Sequence, residues 1–235
     1  MRVTVRLFAG LREVAGDDFE ECFEVDAVTV AELHARLEQS RPKLGPYLSA
    51  VAVAVNEEYV LGDQEVLHDG DEVALIPPIS GGAEHEDSRH ASTPHYLVTR
   101  APLDRDGLRE LVRTDRSGAV VLFEGVVRDM HEGYRVLRIE YHAYESMAQK
   151  QLQAVAEAVR GELPVHDIAV HHRIGMLEVG EASLLVAVSA EHRAEAFAAA
   201  LRVVDRVKES VPVWKQEFTP DGPIWQEGTP ARPAR

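Results

Sequence analysis

The chain has 235 residues, 45% of them hydrophobic and 28% charged, which suffices for one large domain or two small ones with real cores. No apolar run nears the roughly 20 residues that span a bilayer, and the opening MRVTVRLFAG alternates where a signal peptide would be continuously apolar, so a cytoplasmic protein without membrane contact is expected. Net charge is −15, with 16 acidic and 6 basic side chains in residues 1–82 and 24 and 19 in residues 83–235; lacking a basic stripe, the sequence argues against nucleic acid as a partner.

In chain order, Val3, Val5 and Leu7 alternate in an opening strand, and Phe19 to Val25 form a second. The single cysteine, Cys22, shares a strand face with Glu20 and Glu24, opposite Phe19, Phe23 and Val25. Flanking carboxylates disfavour a thiolate, so sulfur carried on Cys22 is not expected. Thr29-Val30-Ala31-Glu32 is a capping box opening a helix whose buried face includes Leu33 and Leu37. Val51 to Val55 reads as the central strand, and Asp69-Gly70-Asp71 as a turn feeding a last strand over Glu72 to Ile76. A helix across a small mixed sheet suggests, by analogy, the β-grasp or ubiquitin-like arrangement. This domain, residues 1–82, ends in Pro77-Pro78-Ile79-Ser80-Gly81-Gly82. A strand running into a stiff Pro-Pro segment and two residues without side chains can thread a narrow channel; Gly-Gly alone would equally serve as a flexible joint.

Residues 83–95 (AEHEDSRHASTPH) lack any large apolar side chain and read as a polar linker. The second domain, residues 96–228, reads as a strand at Tyr96–Arg100, a helix at Arg105–Thr114, and strands at Ala119–Arg128 and Val136–His142 around a turn at Asp129–Gly133. A helix at Met147–Leu163 places Ala148, Leu152, Val155 and Val159 on one stripe. Strands near Ile168–Ile174 and Ser183–Ser189, a helix from His192 to Lys208 and a closing strand at Val213–Phe218 complete an α+β pattern. Residues 229–235, with two prolines, read as a disordered tail.

The stretch from Asp71 to Gly82, with Val5-Arg6-Leu7-Phe8-Ala9-Gly10-Leu11-Arg12-Glu13, resembles the small subunit of molybdopterin synthase. Residues 96–228 resemble the large subunit of the same synthase, through Gly118 to Arg128 (GAVVLFEGVVR), His172-Arg173-Ile174-Gly175, Ser189 to Arg193 (SAEHR) and Val211 to Glu217 (VPVWKQE). The resemblance implies sulfur insertion into cyclic pyranopterin monophosphate, giving the dithiolene of molybdopterin. By the same resemblance, the sulfur is expected as a thiocarboxylate on the terminal glycine, made by a separate adenylating enzyme and a sulfur donor, with no permanently bound cofactor. It further implies substrate binding by Phe123, Val126, Val127, Arg128, His192, Arg193, Gln216 and Glu217, with Gly81 and Gly82 as the carrier tail. Two departures concern the pocket: Val204 stands where the family often has methionine, and no basic residue follows Trp225 until Arg232.

The residues themselves fit a phosphorylated substrate. His192-Arg193 opens a helix, where free N–H groups and the dipole favour an anion, and Arg128 offers a bidentate fork. Lys208 and Lys215 are the candidate catalytic residues; with the exception of Lys150 they are the second domain's only lysines. A lysine partly buried beside Val211, Val213 and Trp214 can act as acid, base or nucleophile, whereas solvated charges would do none of these. Arg193, Phe197, Leu201, Val204 and Lys208 share one helical stripe with the two charges roughly 22 Å apart, so His192 and Arg193 are expected to complete the site of another subunit in a homodimer formed through the catalytic domain. Metal binding is not expected, since His171 and His172 point to opposite faces of a strand. A peptide-bonded Gly82 has no carboxylate to activate, so cleavage after Gly82 by a processing protease is expected. The alternative is a ubiquitin-like carrier or modifier tethered to a non-catalytic binding domain.

Overall fold

The computed structural model describes residues 1–78 and 94–226. Gly81, Gly82, most of the linker, Arg232 and the tail lie outside the described residues. Two compact units result, and each is taken by itself.

The first unit runs β1 (Arg2–Leu7), α1 (Gly10–Ala15), β2 (Phe19–Cys22), β3 (Ala27–Thr29), α2 (Val30–Ser40), α3 (Gly45–Leu48), β4 (Ala52–Val55), β5 (Glu58–Tyr59), β6 (Val66–His68) and β7 (Glu72–Ile76). Its main sheet has the order β2-β1-β7-β4-β5, with β1 and β7 parallel and the other pairs antiparallel. The centre therefore belongs to β7, not to β4 as its apolar run suggested. Every residue from Val73 to Ile76 is buried; β7 has a strand on each side, and Val73 and Leu75 point into the core with Val3, Val5 and Leu7. The α2 cap forms as expected: Thr29 Oγ1 accepts from Glu32 N at 3.2 Å, and Glu32 Oε2 accepts from Thr29 N at 2.7 Å. Leu33 and Leu37 then pack with Val3, Val5, Leu7 and Leu75 in one core. The second strand stops at Cys22, three residues earlier than its alternation suggested, and leaves Val25 52% exposed because the chain departs there to pair β3 with β6. Cys22 itself is exposed.

The second unit runs β8 (Tyr96–Thr99), α4 (Arg105–Val112), β9 (Ala119–Val126), β10 (Met130–His131), β11 (Tyr134–Arg135), β12 (Arg138–Ala143), α5 (Glu145–Glu162), β13 (Val165–Arg173), β14 (Gly175–Glu178), β15 (Ala182–Ala190), α6 (Arg193–Ser210), β16 (Val213–Thr219) and β17 (Gly222–Trp225). One sheet has the order β8-β13-β15-β9 and another β14-β12-β16-β17. α4 covers one face of the first sheet, where Leu108 and Val112 meet Ala169, Leu185 and Ala187. α5 and α6 pack against that sheet as well as each other. Ala148, Leu152, Val155 and Val159 of α5 are fully buried, as their spacing requires.

Three local readings change. The expected turn at 129–133 is a hairpin, β10–β11, whose two-residue loop Glu132-Gly133 has φ of 45° and 92°; such loops need positive φ at both centres. Beyond β16 the chain forms one more strand, β17. On α6 the buried stripe is Ala196, Ala199, Ala200, Val203, Val204 and Val207, while Phe197 and Leu201 are each 64% exposed. Small alanines let α6 approach the sheet closely, so the larger side chains of the expected stripe fall outside the contact.

Candidate active site

Strand β16 holds three of the expected site residues, Lys215, Gln216 and Glu217. Antiparallel partners share a face, so its register sorts the side chains. Lys215 is opposite Tyr141, and Glu217 opposite Ile139 and Ile224. The other face holds Gln216, opposite Glu140 and Trp225, and Trp214, opposite His142. Lys215 and Glu217 thus sit together and Gln216 points away from them.

Glu217 is 2% exposed and is the hub of a polar network. Its Oε1 accepts from Lys215 Nζ at 2.8 Å. Its Oε2 accepts from Tyr134 Oη at 2.6 Å, His131 Nδ1 at 2.8 Å and Gln226 Nε2 at 3.1 Å. An ionised carboxylate only accepts, so His131 must carry its proton on Nδ1. The β10–β11 hairpin delivers two of these donors because His131 and Tyr134 are direct register partners, with rings 5.6 Å apart edge to face. Val136 N bonding to Asp129 O at 2.8 Å closes the base of the hairpin. Burial raises the Glu217 carboxyl pKa, but the hydrogen bonds from Lys215, Tyr134 and His131 outweigh it and hold the group below its ordinary value. Burial first, then the hydrogen bond to Glu217 and its charge, push the Tyr134 phenol up to about 12, so it remains a neutral donor.

The other expected site residues spread over two further elements. Phe123 is half-buried in β9, Val126 ends that strand 51% exposed, and Val127 is buried with its N–H on Glu181 O and its carbonyl on Gly180 N. Arg128 is exposed just ahead of the hairpin. His192 is the N-cap of α6, makes no side-chain cap and is 71% exposed, 3.8 Å from Glu191; Arg193 follows, also exposed. Gly118 steadies this end: a Cβ there would lie 2.1 Å from the carbonyl oxygen of Glu191. Lys208, in the last turn of α6, is exposed, so of the two lysines only Lys215 has the partly buried setting expected. α6 is one unbroken 18-residue helix, which keeps Arg193 and Lys208 roughly 22 Å apart.

His171 and His172 are both buried on β13. His171 Nε2 bonds to Pro94 O at 2.7 Å, while His172 Nδ1 bonds to Arg173 O at 2.8 Å and its ring meets Tyr141 edge to face. Burial lowers the His172 imidazole to about 4, so it is neutral at physiological pH. Among the described residues no group of three or more His, Cys, Asp or Glu could hold a metal ion.

Sequence reasoning passed over His131, Tyr134 and Gln226. The first two carried a legible signal, since residues flanking a two-residue glycine turn face each other across a hairpin. Gln226 carried none.

Comparison with known proteins agrees in both units. Residues 98–210 match the MoaE protein family, and residues 5–82 match the ThiS family. A curated molybdopterin synthase catalytic subunit of Pyrococcus abyssi is 46% identical over 118 residues, covering 50% of this chain and 80% of the relative. One of Nostoc sp. is 41% identical over 128 residues, covering 54% and 78%. With one of Oryza sativa the identity is 46% over 116 residues, and the chain spans 60% of that relative's length. The X-ray crystal structure of molybdopterin synthase from Staphylococcus aureus superposes with a TM-score of 0.55 at 34% identity, covering 57% of this chain and 98% of that one.

Proposed function

The chain belongs to the MoaE protein family and carries a ThiS-family domain ahead of the family segment, and from that premise we propose that it is a fused molybdopterin synthase, a sulfurtransferase with its sulfur carrier in the same chain. The observation that carries the reading is the pairing itself: a carrier-type domain and a catalytic-type domain of one reaction on a single polypeptide. The substrate is cyclic pyranopterin monophosphate, and two of its oxygens are replaced by sulfur.

In this reading the carrier tail presents its sulfur as a glycyl thiocarboxylate, and each delivery returns the tail as a carboxylate. Gly82 must first be freed by cleavage and then activated by a separate adenylating enzyme and a sulfur donor. Lys215 supplies a charged, half-buried amine at the reacting carbons, with Lys208 as the second catalytic lysine. Arg128 binds the phosphate. His192 and Arg193, held roughly 22 Å from Lys208 along α6, complete the site of the partner subunit in a homodimer. An ammonium beside a developing negative charge in a partly dry site stabilises the transition state more than it could in water.

The test is conversion of the pterin precursor by thiocarboxylated carrier, comparing the parent chain with Lys208→Ala and Lys215→Ala. Loss of sulfur insertion in both supports the reading, and full activity in both moves the catalytic centre elsewhere. Intact mass spectrometry of protein from its native cells tests the processing step: two chains meeting at Gly82 are expected, and only full-length chain in cells that make the cofactor overturns it.

A further inference from the structure

We infer that His131 and Tyr134 of the β10–β11 hairpin are positioning residues for Lys215, acting through the carboxylate of Glu217. The inference rests on the reading of Lys215 as a catalytic lysine. Lys215 has an unbranched stem with about 2 kcal/mol of rotamer entropy, so an amine that must meet a reacting carbon needs something to hold it. Glu217 lies two residues along the same strand face, near enough to pair with it at 2.8 Å. A carboxylate on a flexible side chain would swing with the lysine rather than fix it.

The hairpin removes that freedom. An ionised carboxylate offers about four acceptor sites. Tyr134, His131 and Gln226 converge on Oε2, which sets the carboxylate plane and leaves Oε1 for Lys215. Glu217 therefore has little capacity left for substrate, and its burial keeps water from competing. His131 is itself only 13% exposed, so its donor is equally protected. The hairpin begins two residues after Arg128, so one short rigid segment joins the proposed phosphate contact to the support of the proposed catalytic amine. Among the described residues, the charged and titratable groups around Glu217 are Lys215 on its own strand, His131 on β10, Tyr134 on β11 and Tyr141 on β12, with Glu132 bearing on Tyr134 from the hairpin loop. Three of these, Lys215, His131 and Tyr134, are neutral or cationic donors aimed at the carboxylate, while Glu132 acts on Tyr134.

The chain contains four lysines, which makes amine footprinting decisive. Acetic anhydride labelling of the full chain, read by peptide mass spectrometry, should find Lys215 slower than exposed Lys208. Tyr134→Phe and His131→Leu should each raise the Lys215 rate by roughly threefold to tenfold and leave Lys208 unchanged. His131→Asn, which keeps a donor in the place of Nδ1, should restore the protection. In the sulfur-insertion assay Tyr134→Phe should lower kcat by about 10-fold or more with little change in KM, and move the acid limb of the kcat profile to higher pH, because one donor that keeps Glu217 ionised is gone. An unchanged Lys215 labelling rate in a folded Tyr134→Phe chain overturns the inference. So does an equal loss in His131→Asn and His131→Leu. If the parent chain lacks sulfur insertion, the functional reading fails while the footprint still decides the positioning role.

Discussion

Replacing Glu217 with glutamine keeps the shape of the hub and removes its charge. Whichever way the amide turns, its NH2 group meets donors: Lys215 on one side, or Tyr134, His131 and Gln226 on the other. The less costly orientation gives the amide oxygen to the three donors and the NH2 to Lys215, whose side chain is 27% exposed and can turn to water. The loss is then one partly buried charge-assisted bond plus weakening of the others, about 2–3 kcal/mol, below the 3–5 kcal/mol that follows when a fully trapped charge is left alone. Urea denaturation followed by tryptophan fluorescence measures it directly, because both tryptophans, Trp214 and Trp225, lie in the second unit. In a thermal melt the same loss is roughly 6–12 °C. The pH dependence adds a second check. The Glu217 carboxyl titrates below its ordinary 4.5 in the folded state, so between the two values the unfolded chain binds more protons and stability rises with pH. The gap between parent and Glu217→Gln should be full above about pH 5 and close as pH falls through the folded value, where glutamic acid resembles glutamine. A difference under about 0.5 kcal/mol at neutral pH, or one that persists in acid, would refute the account of the hub.

His172 gives a second pH signature. Its folded value of about 4 lies below the ordinary 6.5, so the parent chain should lose roughly 3 kcal/mol as pH falls from 6.5 to 4, and an NMR titration should leave its ring neutral at pH 6. Gly118→Ala puts a Cβ against the Glu191 carbonyl and should cost about 1–3 kcal/mol by fluorescence-detected unfolding, and it should weaken precursor binding by shifting His192 and Arg193. In the first unit Thr29→Ala removes one half of the capping box; a loss of about 1 kcal/mol, read by hydrogen exchange in α2, is expected, and unchanged exchange would contradict the cap's role.

Local pattern, by itself, determined a good deal of this protein. The Thr29 to Glu32 cap, the buried stripe of α5 and the strand at Glu72 to Ile76 follow from residue spacing, because helix and strand periods act within a few residues. The division into a carrier-type and a catalytic-type half was equally legible, since each half has its own motifs and a polar stretch lies between. What only the tertiary structure decided is who meets whom. β7 is central because β1 pairs with it in parallel across more than sixty residues of chain, which no local apolar run encodes. Phe197 and Leu201 face outward because the sheet takes up the stripe of alanines and valines from Ala196 to Val207 instead. Glu217 and Lys215 were visible as a motif, but the Tyr134 and His131 that anchor the pair lie 83 and 86 residues away. Periodicity specifies that a side chain is buried; its partner is chosen by strand register and by the turn that aims it.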